Sequence, residues 1–232
     1  MISYVVFDLD GTLAKIGAPV LPEDLALIHE IEKKGVGIVL SSGKPTYYLC
    51  GFARQMGLSD PYLIGENGAV LQKGIELPPP LTRTSQIPEK TRRALKELRA
   101  RLEERFPDRI WYQPNETALT PFLSYVEDFP AMRELFASFV TPEMELEVYE
   151  HCDCFDIAWA PLSKGEGIRL LSEVTGADPA TMIAVGDWTN DYSMFAEVGF
   201  SIGIHLPDPE KATVNVSTIH EALQLILQKI KA

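Results

Sequence analysis

The feature that most constrains the fold is an alternation of apolar strands and helices at both ends of the 232-residue chain. The first 77 residues predict strands near 2–8, 36–41, 62–64 and 69–71, with helices near 22–34 and 45–57. From residue 161 onward, helices are predicted near 163–175, 190–197 and 218–230, and strands near 182–185 and 200–204. Strands that alternate with helices form parallel sheets covered on both faces. The pattern predicts an α/β fold, a Rossmann-like doubly wound parallel sheet.

The middle of the chain has a different pattern. It begins at Pro78-Pro79-Pro80, which cannot lie inside a helix or a central strand. Helices follow near 88–105 and 130–139, and strands near 109–113, 122–127, 144–150 and 153–159. Such a mixture indicates a small α+β unit. We therefore expect core segments at 1–79 and 161–232, with an inserted α+β domain at 80–160.

Charge and composition exclude several classes of protein. The formal net charge of −12 argues against a nucleic-acid partner, because phosphate backbones attract basic surfaces. No apolar run approaches the roughly 20 residues that span a bilayer, and no signal peptide is visible. We expect a soluble cytoplasmic protein, with no membrane partner.

Three cysteines, Cys50, Cys152 and Cys154, are an odd number without a disulfide spacing, as expected in a reducing compartment. The cluster around His151 and Cys152 offers a metal interpretation. In a strand, however, Cys152 and Cys154 share one face while His151 points to the other. Half-buried strand residues therefore explain the cluster better, and no disulfide is predicted.

Two carboxylates follow the first strand. Val5-Val6-Phe7 leads directly into Asp8-Leu9-Asp10-Gly11-Thr12. Residues i and i+2 of an extended segment point to the same side, so Asp8 and Asp10 can share one metal ion or one reacting phosphorus. A simple turn at Asp10-Gly11 would leave Asp8 unexplained.

Three further polar stretches are also predicted at the carboxyl ends of core strands, where open parallel sheets bind ligands. Ser41-Ser42-Gly43-Lys44-Pro45 combines a hydroxyl, backbone N–H groups and a helix start, and fits either a phosphate site or an ordinary helix cap. Lys164 stands at a predicted helix start, a poor place for a cation unless an anion lies nearby; a surface lysine is the alternative.

The last stretch is Gly186-Asp187-Trp188-Thr189-Asn190-Asp191, after an apolar strand. Asp187 and Asp191 are four residues apart and can face one site on an opening helical turn, although an acidic helix cap would use the same residues. Together the four stretches supply carboxylates, a lysine and an anion cradle. Mg²⁺ prefers oxygen ligands, so the set predicts a magnesium-assisted phosphoryl-transfer site.

These residues resemble the four motifs of the haloacid dehalogenase superfamily of aspartate-nucleophile phosphohydrolases. The motifs are Asp8/Asp10, Ser42, Lys164 and Asp187/Asn190/Asp191, in the family's order. Glu66-Asn67-Gly68-Ala69 and an insertion between the second and third motifs are similar to the Cof-like branch, which has a type two, subclass B cap. One departure from the family pattern is Lys44, where an arginine is frequent.

The resemblance implies a two-step mechanism. Asp8 would attack phosphorus to form an aspartyl-phosphate, and Asp10 would act as general acid and then general base. Phosphate-binding roles fall to Ser42, Gly43, Lys164 and Asn190. The implied cofactor is Mg²⁺, held by the Asp8 carboxylate, the Asp10 main-chain carbonyl and Asp187, with Asp191 in the layer behind these ligands.

The substrate implied is a small phosphorylated metabolite, such as phosphoglycolate or a sugar phosphate. The compact cap resembles that of archaeal-type phosphoglycolate phosphatases, and the wider branch includes sugar phosphatases and mannosyl-3-phosphoglycerate phosphatase. Candidate cap residues are Arg83, Arg109, Tyr112 and His151. A phosphomutase with the same aspartyl-phosphate, or a non-catalytic binding protein on this fold, are the alternatives. The protein is expected to be a monomer or homodimer.

Overall fold

The computed structural model describes residues 1–151 and 153–231. Strands and helices alternate through the first part of the chain, with the sheet elements only four or five residues long. The elements are β1 (Tyr4–Asp8), α1 (Pro22–Lys33), β2 (Gly37–Ser41), α2 (Thr46–Gln55), β3 (Tyr62–Gly65), β4 (Val70–Lys73) and β5 (Leu81–Thr84). A short 3-10 turn, Glu66–Gly68, joins β3 to β4.

The middle of the chain carries two helices and four strands. These are α3 (Glu89–Arg105), β6 (Ile110–Gln113), β7 (Thr120–Leu123), α4 (Phe129–Phe139), β8 (Leu146–Glu150) and β9 (Phe155–Trp159). The remainder returns to alternation with α5 (Lys164–Thr175), β10 (Met182–Gly186), α6 (Tyr192–Glu197), β11 (Phe200–Ile204), β12 (Val214–Val216) and α7 (Ile219–Lys231).

The chain divides into two compact units. Unit 1 contains Met1–Thr84 and Ser163–Ala232, and unit 2 contains Ser85–Leu162. Unit 1 is built on an eight-stranded sheet of order β12-β11-β10-β1-β2-β3-β4-β5. Strands β12 through β3 are parallel, and β4 and β5 join antiparallel at one edge. The α/β, Rossmann-like class predicted from the sequence is confirmed.

Alternate residues of the central strands face opposite sides of this sheet. Val5 and Phe7 belong to a buried cluster shared with α1, α2 and α7, whereas Val6 belongs to a cluster with Ile168 of α5 and residues of α6. Asp8 continues the face of Val6, because side chains alternate along a strand. The strand therefore directs Asp8 to the side of the sheet that α5 covers.

Unit 2 is a small α+β unit with its own core. The pairs β6–β7 and β8–β9 are antiparallel, and isolated bridges Leu119–Ile157 and Phe122–Cys154 connect the β7 and β9 regions. Helices α3 and α4 contribute apolar side chains to the core around Phe155 and Ile157, both nearly inaccessible to solvent. The core contains Leu98, Leu102, Phe106, Leu119, Phe129, Met132, Phe136, Phe139, Phe155 and Ile157.

The structure differs from the predicted elements in three places. Leu81–Thr84 form β5 of the unit 1 sheet, although the sequence pattern predicts an insertion that begins at residue 80. Consequently Arg83, a predicted cap candidate, lies on unit 1. The short strand β12 was not predicted, and the strand expected near 122–127 is displaced to Thr120–Leu123, before a 3-10 turn at Val126–Asp128.

Cys50 is a free thiol, Cys154 is buried, and Cys152 lies outside the described residues. Within the described part of the chain, every helix is too short or too polar to span a bilayer.

Candidate active site

Strand register brings the first two motifs and the last together at the carboxyl edge of the unit 1 sheet. Asp8 ends β1 and pairs with Ser41 at the end of β2. On its other side, Phe7 pairs with Val185, so that the end of β1 lies beside Gly186 of β10. Parallel strands end at the same edge of a sheet, which explains how residues more than a hundred positions apart in sequence become neighbours.

A buried lysine joins two carboxylates at this edge. Lys164 Nζ donates hydrogen bonds to Asp8 Oδ1 and to Asp191 Oδ1, each at 2.5 Å. The side chains of Lys164 and Asp191 are 1% and 0% exposed, and Asp8 is 10% exposed. These anions explain why a cation occupies the first position of α5, where the helix dipole alone would disfavour it.

The start of α5 is fixed by local contacts. Ser163 caps the helix by accepting a hydrogen bond from the backbone N–H of Glu166 at 3.3 Å. Gly68 of the 3-10 turn packs against the Ser163 carbonyl so closely that a Cβ atom at residue 68 would clash with it, and its φ is +101°. The Glu66-Asn67-Gly68 turn thus sets the position from which Lys164 extends.

Both oxygens of Asp191 are engaged. Oδ1 accepts from Lys164, and Oδ2 accepts the backbone N–H groups of Asp187 and Trp188 at 2.9 and 3.0 Å. Asp191 therefore shapes the loop that carries Asp187 as well as holding the lysine.

The loop after β1 contacts the loop after β10. Thr12 Oγ1 donates a hydrogen bond to Asp187 Oδ1 at 2.5 Å. Gly11 has a φ of +93°, and a Cβ atom there would collide with the Asp187 carboxylate. Only glycine combines this backbone conformation with so close an approach. Thr12 belongs to the first motif, but no role had been predicted for its hydroxyl.

Three carboxylates converge closely enough to hold a cation. One oxygen each from Asp8, Asp187 and Asp191 lies within 4.8 Å of the others. Hard oxygen donors of this kind suit Mg²⁺. The donor set fits the metal predicted from the sequence.

Burial perturbs the ionisation of this cluster. Burial raises the pKa of Asp8 to about 7, against the opposing charge of Lys164. Burial also raises the pKa of Asp187. For Lys164, burial acts to lower the pKa, but Asp191 and Asp8 outweigh it and raise the pKa above its usual value. The two carboxylates thus favour the charged form of Lys164.

The second predicted acid, Asp10, has a different partner. Its carboxylate pairs with Lys44, whose Nζ lies 2.7 Å from Asp10 Oδ2. Ser42 is buried in the turn after β2, where its Oγ accepts the backbone N–H of Lys44 at 3.2 Å. Lys44, the departure from the family pattern, therefore contacts the site through its ion pair with Asp10.

The other predicted phosphate-binding residues, Gly43 and Asn190, lie in the loops after β2 and β10. Gly43 follows Ser42 and faces the Asn67 side chain. Asn190 is exposed, and its backbone carbonyl accepts a hydrogen bond from Ser193 Oγ at 3.2 Å. The contacts of the described residues do not join the Asn190 side chain to Asp8 or Lys164, so its phosphate-binding role stays a prediction.

The remaining candidates have local partners elsewhere. Arg83 donates to the backbone of Thr82. In unit 2, Arg109 pairs with Asp128 at 3.0 Å and stacks on Tyr125. Tyr112 lies under Arg99, and burial raises the pKa of Tyr112 to about 12. His151 Nε2 lies 3.1 Å from Asp156 Oδ2.

Comparisons with known proteins agree on the family and the fold. A family model described as haloacid dehalogenase-like hydrolase matches residues 5–77 and 113–210. A phosphoglycolate phosphatase of Methanopyrus kandleri is 26% identical over 227 residues, which cover 96% of this chain and 90% of the relative.

Two solved structures share the fold along the whole chain. A haloacid dehalogenase-like hydrolase from Bacteroides thetaiotaomicron has a TM-score of 0.77 and 17% identity, covering 97% of this chain and 100% of its own. A sugar phosphatase of subclass IIB has a TM-score of 0.71 and 18% identity, covering 98% of each chain. At these identities the structures establish the fold.

Proposed function

Because this chain belongs to the haloacid dehalogenase-like hydrolase family, we propose that it is a magnesium-dependent phosphatase acting through an aspartyl-phosphate on Asp8. The observation that carries the proposal is the buried Lys164, whose ammonium lies 2.5 Å from both Asp8 and Asp191. Buried charges are costly to maintain and cluster at functional sites. A reaction centre that carries negative charge accounts for a lysine held there.

In the first step, an Asp8 carboxylate oxygen attacks phosphorus. The new carboxylate–phosphorus bond forms as the ester P–O bond breaks, and Asp10 gives its proton to the leaving oxygen. In the second step, a water molecule attacks phosphorus, its proton passes to Asp10, and the bond to Asp8 breaks. Inorganic phosphate is released, and both carboxyl groups return to their starting states.

The geometry supports separate tasks for the two acids. Lys164 fixes one oxygen of Asp8 and balances its charge, which leaves the other oxygen to meet phosphorus. Asp10 is more exposed and lies outside the Asp8–Lys164–Asp191 contacts, as a group that exchanges protons with substrate and water requires.

We propose Mg²⁺ as the cofactor, held by the Asp8 carboxylate, the Asp10 carbonyl and Asp187. The three carboxylates within 4.8 Å of one another support it. When bound, the ion offsets the negative charge that opposes the approach of a carboxylate to a phosphate. Asp191 orients Lys164 and the Asp187 loop, because both of its oxygens already accept hydrogen bonds.

We propose that the phosphate oxygens of the substrate are bound by Lys164, by the turn formed by Ser42 and Gly43, and by Asn190. The turn ends β2 beside Asp8, where a hydroxyl and backbone N–H groups can surround an anion. The leaving group is proposed to be a small metabolite, either glycolate or a sugar. The phosphoglycolate phosphatase relative supports the first, and the subclass IIB structure supports the second.

A net charge of −12 supports small substrates over nucleic acid, and we propose a cytoplasmic protein that is a monomer or homodimer.

The test is phosphate release from a panel of phosphorylated metabolites with Mg²⁺. Asp8→Asn is expected to fold normally and to lose at least about 1,000-fold in kcat, because the amide cannot form the covalent intermediate. Asp60→Asn is the matched control, since Asp60 pairs with Lys73 at the opposite edge of the sheet.

Near-wild-type activity of Asp8→Asn would refute the mechanism. Isomerisation of a sugar phosphate without phosphate release would identify a phosphomutase. A folded protein that turns over no member of the panel would indicate a binding protein.

A further inference from the structure

Lys44 is tied to the proposed acid–base residue and not to the buried carboxylate cluster. Its Nζ lies 2.7 Å from Asp10 Oδ2. Lys164, by contrast, divides its hydrogen bonds between Asp8 and Asp191. Within the described residues, each of the two lysines therefore serves a different carboxylate of the first motif.

The backbone of Lys44 is held on both sides. Its N–H donates to Ser42 Oγ at 3.2 Å, and its carbonyl accepts the N–H of Glu66 at 3.0 Å. The ammonium also lies 5.4 Å from the centre of the Tyr48 ring. A lysine loses considerable rotamer entropy when its ammonium group is fixed. The backbone hydrogen bonds of Lys44 and its contact with the Tyr48 ring reduce the further loss on pairing with Asp10.

The Lys44 side chain is 29% exposed and that of Asp10 is 22% exposed, so the pair is partly shielded from water. Shielding strengthens the pair and restricts the rotation of the carboxyl group.

We propose that Lys44 is a positioning residue that holds the Asp10 carboxyl group where it exchanges a proton with the leaving oxygen. The inference rests on the proposed function, in which Asp10 is the general acid. Asp10 follows β1 in a loop, so strand geometry does not fix its side chain as it fixes Asp8. Proton transfer is sensitive to small displacements, and a hydrogen bond from the anchored Lys44 ammonium to Asp10 Oδ2 supplies the missing constraint while leaving Oδ1 to carry the proton.

This role makes the effect of Lys44 depend on the leaving group. An alkyl alkoxide is a poor leaving group and needs a proton from Asp10, whereas p-nitrophenolate leaves without one. A residue that positions the general acid therefore matters for alkyl phosphates and little for p-nitrophenyl phosphate. A residue that bound phosphate, or that only stabilised the fold, would affect both esters equally.

The experiment measures kcat/KM of Lys44→Met with Mg²⁺ for three esters: 2-phosphoglycolate, glucose 6-phosphate and p-nitrophenyl phosphate. This constant reports the steps through formation of the aspartyl-phosphate, before Asp10 acts as base. We expect a loss of roughly 10- to 100-fold for whichever alkyl ester the wild type hydrolyses, part of the effect of a general acid. The loss for p-nitrophenyl phosphate is expected to stay below about threefold.

Two variants calibrate the result. Lys44→Arg keeps a cation that can pair with a carboxylate and should retain most of the alkyl-ester activity. Lys73→Met removes a similar arrangement, an ion pair to Asp60 at 3.1 Å and a cation 5.7 Å from the Tyr62 ring, at the amino end of β3. Lys73→Met should leave kcat/KM unchanged for both the alkyl esters and the aryl ester.

Equal losses for alkyl and aryl esters, or no loss in Lys44→Met, would overturn the positioning role while leaving the proposed function intact. Asp10→Asn should show the same leaving-group dependence more strongly. If Asp10→Asn affects all esters equally, the general-acid role of Asp10 fails and the inference fails with it. If the wild type hydrolyses neither these esters nor any member of the wider panel, the proposed function itself fails.

Discussion

Two sets of ion pairs in this protein use the same chemistry in opposite environments. At the edge of the unit 1 sheet, Lys164 is 1% exposed and lies between Asp8 and Asp191. On helix α3 of unit 2, Arg101 and Glu97 pair at 2.7 Å, one turn apart, with both side chains more than half exposed. Arg99–Glu103 and Arg93–Glu89 repeat the exposed arrangement.

The difference in exposure distinguishes ion pairs that serve the function of the protein from ion pairs that serve its solubility. Exposed pairs gain little because water and salt screen them and two long side chains lose freedom. Buried ions lose their hydration, and the loss is balanced only if every charge has a partner. A fold under no functional constraint could use apolar side chains in place of the Lys164 cluster, so the presence of the cluster points to a reaction that uses the charges.

The largest effect is expected from Lys164→Met. The substitution leaves Asp8 and Asp191 buried without their shared cation, and the free energy of unfolding should fall by about 3 to 5 kcal/mol. Activity should disappear as well, because Asp8 loses the group that holds it. Urea unfolding at neutral pH and phosphate release with Mg²⁺ measure the two effects.

A second substitution tests the cause of that loss. Adding Asp8→Asn to Lys164→Met removes one of the two unpaired charges, so the double variant should be more stable than Lys164→Met alone. If the double variant is less stable by the sum of the single effects, the buried charges are not the cause.

Changes in pH and in Mg²⁺ concentration are expected to alter the stability of the protein by a smaller amount. In the metal-free protein, burial raises the pKa of Asp8 to about 7. Because the folded state then holds the proton more tightly than the unfolded state, this carboxyl group destabilises the protein as pH rises from about 4 to about 7. The proposed Mg²⁺ would bind the ionised carboxylates and should offset the cost.

Measurements of the midpoint of thermal unfolding, Tm, test the predicted directions of the pH and Mg²⁺ effects. Mg²⁺ should raise the Tm near pH 8 by about 2 to 4 °C for each kcal/mol of binding free energy, and by much less near pH 5. In Asp8→Asn the shift near pH 8 should shrink, and the metal-free Tm should vary less between the two pH values. A shift of equal size at both pH values would contradict carboxylate ligation.

The sequence predicted the part of the site that strand geometry determines. The apolar run before Asp8 and the run before Asp187 each identify a parallel strand, and the ends of such strands meet at one edge. The place of Lys164 at a helix start was visible, but its burial between two acids was not, because it depends on how α5 packs on the sheet. Local periodicity carries no information about such packing.

Contacts between loops were beyond sequence reasoning for a similar cause. The hydrogen bond from Thr12 to Asp187 and the ion pair of Lys44 with Asp10 join turns whose side-chain directions no periodicity fixes. Strand β5 was missed because Leu81–Thr84 follow three prolines and are largely exposed, without the apolar alternation that marks a strand. Antiparallel pairing with β4 creates that strand.

The smallest effect is expected from Arg93→Gln on helix α3, because Arg93 and Glu89 form an exposed pair at 3.1 Å. Removal of this pair should lower the free energy of unfolding by less than about 0.5 kcal/mol, and the small loss should vanish at high salt. Urea unfolding of Arg93→Gln and of Lys164→Met, at low and high salt, compares the two ion pairs directly. A loss from Arg93→Gln as large as that from Lys164→Met would show that burial does not separate the two sets of pairs, since exposure is the property in which they differ most.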